Sequence, residues 1–289
     1  MGRSVEPLLG TRGEVEVWVD SPDEASALED AVIAEAERLE AIFTVFDPDS
    51  ELHAFRASGT TEVPELLEVL TLAEHWRSRS GGAFEPQIQS LMTLWDRAEE
   101  AGSRPAPAEL AAAVAALAAT PVDNLNAIAK GWIAERALDR VTGSVHGIEH
   151  AWLNLGGDIV HRGTEPLTVG IEDPARPYDN VAPLATIDVC DEALATSGGA
   201  RRYWTIDGVR HAKVLDPRTG MPVDRIASAT VIAPSAADAD VLATIGLIMD
   251  EPDFFALLDA ADTCALLVRR DGTIATSSDR FVVRPSPAT

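Results

Sequence analysis

AWLNLGGDIV, residues 151–160, opens the run of sequence that settles the architecture. LTVGI (167–171), ATIDV (185–189), EALAT (192–196), RYWTI (202–206), AKVL (212–215) and SATVIA (228–233) follow it. Short runs rich in β-branched and aromatic residues, punctuated by Gly, Pro and Asp, read as strands. Helical patterns lie on either side of this block. Upstream, EVEVWV (14–19) alternates like a half-buried strand. Ser21, Pro22 and Glu24 then supply an N-cap, a first-turn proline and a capping-box acid. Leu28, Val32, Ala36, Leu39 and Ile42 continue that helix at helical spacing. A second helix is expected over 64–79, a short surface helix within the proline-bracketed 105–121, and a further helix over 127–141. Downstream, DVLATIGLIM (240–249) and DFFALLDAA (253–261) return to helix, and TCALLVRRDGTIATS (263–277) reads as a hairpin turning at Asp271-Gly272. Helices and strands are segregated along the chain, which predicts an α+β fold. With no low-complexity linker and no repeat, one domain is expected over 1–289.

Composition narrows the function. The chain has 289 residues, is 46% hydrophobic and carries a formal net charge of −24. That charge argues against nucleic acid as a partner, because non-specific phosphate-backbone binding needs a basic surface. It leaves room for a small anionic ligand held by a local cationic pocket or a metal ion. No window is long and apolar enough to span a membrane, and MGRSVEPLLGTRG shows no signal-peptide pattern, so a cytoplasmic location is expected. Cys190 and Cys264 are isolated thiols and suggest neither a disulfide framework nor a zinc site.

Of 23 basic residues only two are lysines, Lys130 and Lys213. In DNLNAIAKGWIAERA (123–137), Asn126 is the expected N-cap, which puts Lys130 near the helix start. A cation there opposes the helix dipole, whereas an anion over the same helix end would account for it. A solvated lysine on a helix is the commoner reading of any single lysine, and the scarcity of lysine in a chain that uses Arg on its surface narrows that gap. NLGGD (154–158) frees backbone for close approach, though a bulge or tight turn has the same signature. Asp240 and Thr244 are four apart on a predicted helix, so their oxygens share one face. Such a pair suits Mg²⁺, or else reflects a first-turn acid beside a packed threonine. In HAKVLDPRTGMP (211–222), His211 and Lys213 point to one side of a strand ahead of a turn.

The order and content of these stretches resemble the ApbE family, the FAD:protein FMN transferases. LGT (9–11), FTVFDPDSEL (43–52), GGAFEPQI (81–88), NAIAKG (126–131), NLGGD (154–158), ATSGG (195–199), DPRTGMP (216–222) and ADVLAT (239–244) fall in the family's order across nearly the whole chain. The resemblance implies a single ApbE-like, T-fold-related domain with antiparallel strands and packed helices. It further implies that FAD is split at its pyrophosphate, that FMN passes to a Thr or Ser of a target flavoprotein, and that AMP leaves. By the same resemblance Leu9, Phe46, Ala83, Phe84, Glu85, Asn124, Lys130 and Val214 line the cofactor. Asp240, Thr244 and the carbonyl of Ala127 hold Mg²⁺, and His211 or Lys213 serves in proton transfer.

The sequence departs from the family pattern at three places. Asn124 stands where family members usually have Asp, SGGARR (197–202) replaces SGDYER, and Lys213 occupies a position that is often His. The altered base position leaves two alternatives in view: an Mg²⁺-dependent FAD pyrophosphatase, and a flavin-binding protein without turnover.

Overall fold

The computed structural model describes residues 3–145, 148, 150–178, 180–258 and 263–284. Strands β1 (Arg3–Leu8) and β2 (Thr11–Trp18) lead into helix α1 (Pro22–Phe43), where the Ser21 hydroxyl accepts the Glu24 N–H at 3.4 Å. Helices α2 (Glu51–Ser58), α3 (Pro64–Arg79), α4 (Gln89–Ala101), α5 (Pro107–Ala116) and α6 (Asn126–Thr142) follow. The strand block comprises β3 (His150–Leu155), β4 (Asp158–Gly163), β5 (Leu167–Ile171), β6 (Ala185–Val189), β7 (Ala193–Gly198), β8 (Tyr203–Ile206), β9 (Val209–Ala212), β10 (Leu215–Asp216), β11 (Met221–Pro222) and β12 (Ile226–Ala233). Helices α7 (Ala236–Ile248) and α8 (Glu251–Leu258) precede β13 (Cys264–Arg269), β14 (Ile274–Thr276) and β15 (Val282–Val283).

Eight strands form one antiparallel sheet in the order β1-β2-β3-β4-β7-β12-β13-β14. Residue alternation along its strands sends side chains to two different cores. On one face Val15, Leu153 and Leu267 meet Leu39 of α1, Leu138 of α6 and Leu242 of α7. On the other, Leu194, Ile232 and Leu266 meet Ile187 from a small sheet ordered β15-β6-β5. A third cluster joins α4 to β8 and β10 through Trp95, Trp204 and Leu215. Both indole N–H groups there are satisfied, Trp95 by the Gly220 carbonyl at 2.8 Å and Trp204 by Asp96 at 2.7 Å.

Helix α7 is the structural centre. Eleven of its 13 residues are buried, as expected for a helix that is apolar all round. The carboxylate of Asp240 is carried inside with them, only 3% exposed.

Several local readings change. The strand expected to end in NLGGD is β3, and of the two local readings the tight turn holds: residues 151–160 form the hairpin β3–β4, with Leu155 opposite Asp158. Gly156 and Gly157 make its two-residue turn with φ of 66° and 107°, the positive angles such turns require. A Cβ on Gly156 would lie 2.4 Å from Thr11 Oγ1, so the close approach of β2 also requires glycine. AKVL is split between β9 and β10. Asn126 is not the N-cap of α6. Leu125 holds that place without a side-chain bond, and Asn124 Oδ1 accepts the Asn126 N–H at 3.1 Å. Residues 259–261 of the helix expected at 253–261 lie outside the described residues.

His161 on β4 is fully buried. Its Nδ1 accepts the Asp191 N–H at 3.0 Å, which leaves the ring proton on Nε2, 3.3 Å from His150 Nδ1. Burial, then the neighbouring His150, push its pKa down. A depressed histidine contributes stability that is present above the unfolded value, about 6.5, and is lost as pH falls through the folded value. Melting temperature should therefore fall below about pH 6.5 more steeply in the wild type than in His161→Gln. Parallel pH profiles for the two proteins would refute this assignment.

Candidate active site

Helices α6 and α7 approach so closely at Gly131 that a Cβ there would sit 2.2 Å from the Ala236 carbonyl oxygen. Only glycine allows that contact. The approach is locked one turn further on, where Glu135 Oε2 accepts from Ser235 Oγ at 3.2 Å and from the Ala236 N–H at 3.1 Å. The carboxylate thus satisfies a free donor at the start of α7. Arg162 on β4 holds Glu135 in turn at 3.1 Å and Asp139 at 2.7 Å.

This docking brings together groups far apart in sequence. The Gly131 N–H donates to Asp240 Oδ2 at 3.2 Å. The neighbouring Lys130 ammonium is paired with Asp158, the first residue after the Gly156-Gly157 turn, whose side chain is 4% exposed. One turn along α7 from Asp240, the Thr244 hydroxyl lies 3.2 Å from Ser197 Oγ on β7. Ala127, in the first turn of α6, has φ −89° and ψ 20°, outside helical geometry. That ψ rotates its carbonyl away from the regular helix direction.

Electrostatics bind the cluster further. Burial opposes the charge on Lys130, but Asp158 and Asp240 outweigh it and hold the ammonium pKa above the ordinary lysine value. Arg202 is close enough to work in the opposite direction. Asp240 is pushed up from 3.8 to about 7 by burial, then by the charge of Asp158, with Lys130 and the Gly131 N–H offsetting part of that. Added positive charge would favour the ionised form of such a buried carboxylate. Among the described residues, no group of three or more His, Cys, Asp or Glu side chains is placed to hold a metal. Asp240 would therefore act with neutral oxygens, a donor set suited to Mg²⁺ that keeps waters and takes phosphate oxygens.

The other sequence candidates have these surroundings. Phe46, on the loop after α1, is 93% exposed. A ring so fully in water is available for stacking. Leu9 sits in the β1–β2 turn at φ 50°, its N–H donating to Glu40 Oε2 at 3.2 Å. Ala83 and Phe84 are buried in the main core, so neither side chain presents an exposed surface. Glu85 is held by Arg77 at 2.9 Å. Asn124 spends its amide on Gln89 Oε1 at 3.1 Å, and Val214 is half-buried against the main core. His211 and Lys213 both face α4. The His211 ring lies 5.7 Å from Trp95, with Arg104 3.5 Å from Nε2, and Lys213 donates to Asp96 at 3.3 Å. Burial, then Arg104 and Arg270, lower the pKa of His211, leaving it neutral and able to accept a proton at pH 7. Sequence reasoning did not single out Asp158 or Arg202. The signal for Asp158 was its place at the end of NLGGD.

The family model described as "ApbE family" matches residues 9–268. The chain belongs to the ApbE family. Among curated ApbE relatives, the FAD:protein FMN transferase of Treponema pallidum is 28% identical over 294 residues, covering 88% of this chain and 80% of its own. That of Vibrio cholerae is 27% identical over 290 residues, covering 91% and 85%. Among solved structures, the ApbE protein of Thermotoga maritima superposes with a TM-score of 0.81 at 24% identity, over 96% of this chain and 97% of its own. A mutant of the flavin transferase ApbE from Vibrio cholerae gives 0.77 at 26% identity, over 96% and 97%. Helices packed on antiparallel sheet are thus the ApbE architecture, as the α+β reading expected.

Proposed function

We propose that this protein is an FAD:protein FMN transferase, a single domain over 1–289, that moves FMN from FAD to a Thr or Ser of a flavoprotein and releases AMP. The observation that supports this reading is the docking of α6 on α7, which joins Gly131 of α6 to Asp240 of α7, beside the Lys130–Asp158 pair. Phosphoryl transfer asks a protein mainly to position and to neutralise. Asp240, the Thr244 hydroxyl and the Ala127 carbonyl would hold Mg²⁺, which when bound supplies Lewis-acid neutralisation of the pyrophosphate. Lys130 offers a charge-assisted donor to a phosphoryl oxygen. Phe46 and Leu9 offer apolar surface to the flavin, with Val214 supporting the wall before the 216–220 turn. His211, neutral at pH 7, or Lys213 takes the proton of the acceptor hydroxyl.

The test is incubation with FAD, Mg²⁺ and a flavoprotein bearing an acceptor Thr. The acceptor should gain the mass of FMN and stay fluorescent after denaturation. FMN and AMP released without labelling would indicate a pyrophosphatase instead, and FAD binding with no AMP would indicate a carrier. Neither long apolar helices nor a basic surface argues for a membrane or nucleic-acid role: among the described residues no helix is long and apolar enough to cross a membrane. We place the protein in the cytoplasm.

His211→Ala and Lys213→Ala separate the two candidate bases. The true base should lose about a hundredfold in kcat while FAD affinity holds. Loss of FAD affinity in both variants with kcat unchanged would place both residues in binding instead.

A further inference from the structure

We propose that Asp158 is a positioning residue that aims Lys130 and sets the charge of the site, so that FAD is admitted only together with a divalent cation. The inference rests on the transferase reading and goes beyond it. Three observations carry it. Asp158 is anchored at the first position of β4 by the glycine turn, opposite Leu155 and beside Ala195 of β7, so its backbone has little freedom. Its side chain is almost wholly buried and is committed to the Lys130 ammonium. Asp240, the second carboxylate of the cluster, is held separately by the Gly131 N–H.

The charges then count simply. With both carboxylates ionised, as above pH 8, Asp158 and Asp240 carry two negative charges, Lys130 one positive, and Arg202 stands near enough to contribute a second positive. The cluster is close to neutral. A pyrophosphate bearing two negative charges finds no net attraction there, and the one lysine that could meet it already has a partner. One divalent cation leaves an excess of two positive charges, which matches the pyrophosphate. Neither ligand is well held alone, and the two bind cooperatively. Asp158 enforces that coupling. Without its charge, Lys130 is free to take a phosphate oxygen and the cluster is positive before any metal enters.

The experiment is FAD titration of folded wild type, Asp158→Asn and Asp158→Glu, each in chelator and in saturating Mg²⁺, followed by flavin fluorescence. One unit of charge at contact distance in a partly solvated site corresponds to at least about a tenfold change in affinity. Asp158→Asn should bind FAD in chelator at least about tenfold more tightly than wild type, and Mg²⁺ should strengthen its binding far less. A lost fold cannot produce tighter binding. Asp158→Glu keeps the charge, so it should stay weak in chelator and metal-dependent, while its longer stem misdirects Lys130 and lowers kcat. If Asp158→Asn does not fold, Asp158→Glu decides: metal-free FAD affinity raised in that variant overturns the proposal. Unchanged or weaker metal-free binding in folded Asp158→Asn overturns it too. Wild type that binds no FAD even in saturating Mg²⁺ refutes the transferase reading and this inference together. Wild type that binds while Asp158→Asn shows no gain refutes the inference alone.

Discussion

Asp240→Asn should lower FMN transfer at least about a thousandfold and yet raise the melting temperature of the metal-free protein at pH 8. The first effect follows from charge. Asp240 is the one carboxylate in the proposed donor set with Thr244 and Ala127, and a neutral amide holds a divalent cation poorly. A thousandfold corresponds to about 4 kcal/mol of transition-state stabilisation, within what a bound metal supplies. The second effect follows from burial. Asp240 is 3% exposed and its pKa is raised to about 7. A group raised in the folded state contributes stability that is present below its unfolded value, 3.8, and is lost as pH rises through about 7. At pH 8 the wild type bears the full strain of a desolvated carboxylate beside Asp158. Asparagine removes that charge and keeps an acceptor for the Gly131 N–H. The gain should shrink as pH falls and vanish near pH 4. Thermal melts of both proteins in chelator from pH 4 to pH 8 measure it. A variant less stable than wild type across that range would show that Asp240 is a structural acid.

This tension between stability and chemistry explains what was legible in the sequence. The strand block was readable because its alternation reports on burial, and α1 because Ser21, Pro22 and Glu24 mark its start. Helix α3 was found at Pro64–Arg79 because a proline opens it and glycines follow it. Helix α4 was not found: Ile88 at its N-cap offers no side-chain bond, and the acid that accepts the Gln89 N–H is Asp123, 34 residues away. The turn of the β3–β4 hairpin was legible only as one of two readings, because a glycine pair marks a bulge and a turn alike. Within the site, Asp240 and Thr244 were legible as one helix face. Lys130 stood out because arginine does the ordinary surface work in this chain. Its partner Asp158 did not, since the pairing depends on α6 crossing β4, a tertiary contact that no local spacing encodes.

That crossing can be tested from the lysine side. Lys130→Ala should abolish FAD binding and also weaken the fold, since it leaves Asp158 buried without a partner and close to a second carboxylate. Removing one member of a buried pair costs about 3–5 kcal/mol, most of it from the charge left behind. The Lys130 side chain is 28% exposed, so the lower end applies. Adding Asp158→Asn to Lys130→Ala removes the stranded charge, and the double variant should recover most of the lost stability in urea denaturation. It should not recover FAD binding in Mg²⁺ or FMN transfer, because no ammonium remains to meet the phosphate. Asp158→Asn alone completes the cycle and isolates the pair energy. A double variant no more stable than Lys130→Ala would mean that Asp158 is not stranded by loss of the lysine. Full FMN transfer by the double variant would mean that the pair belongs to the fold alone, and that the anion is met elsewhere.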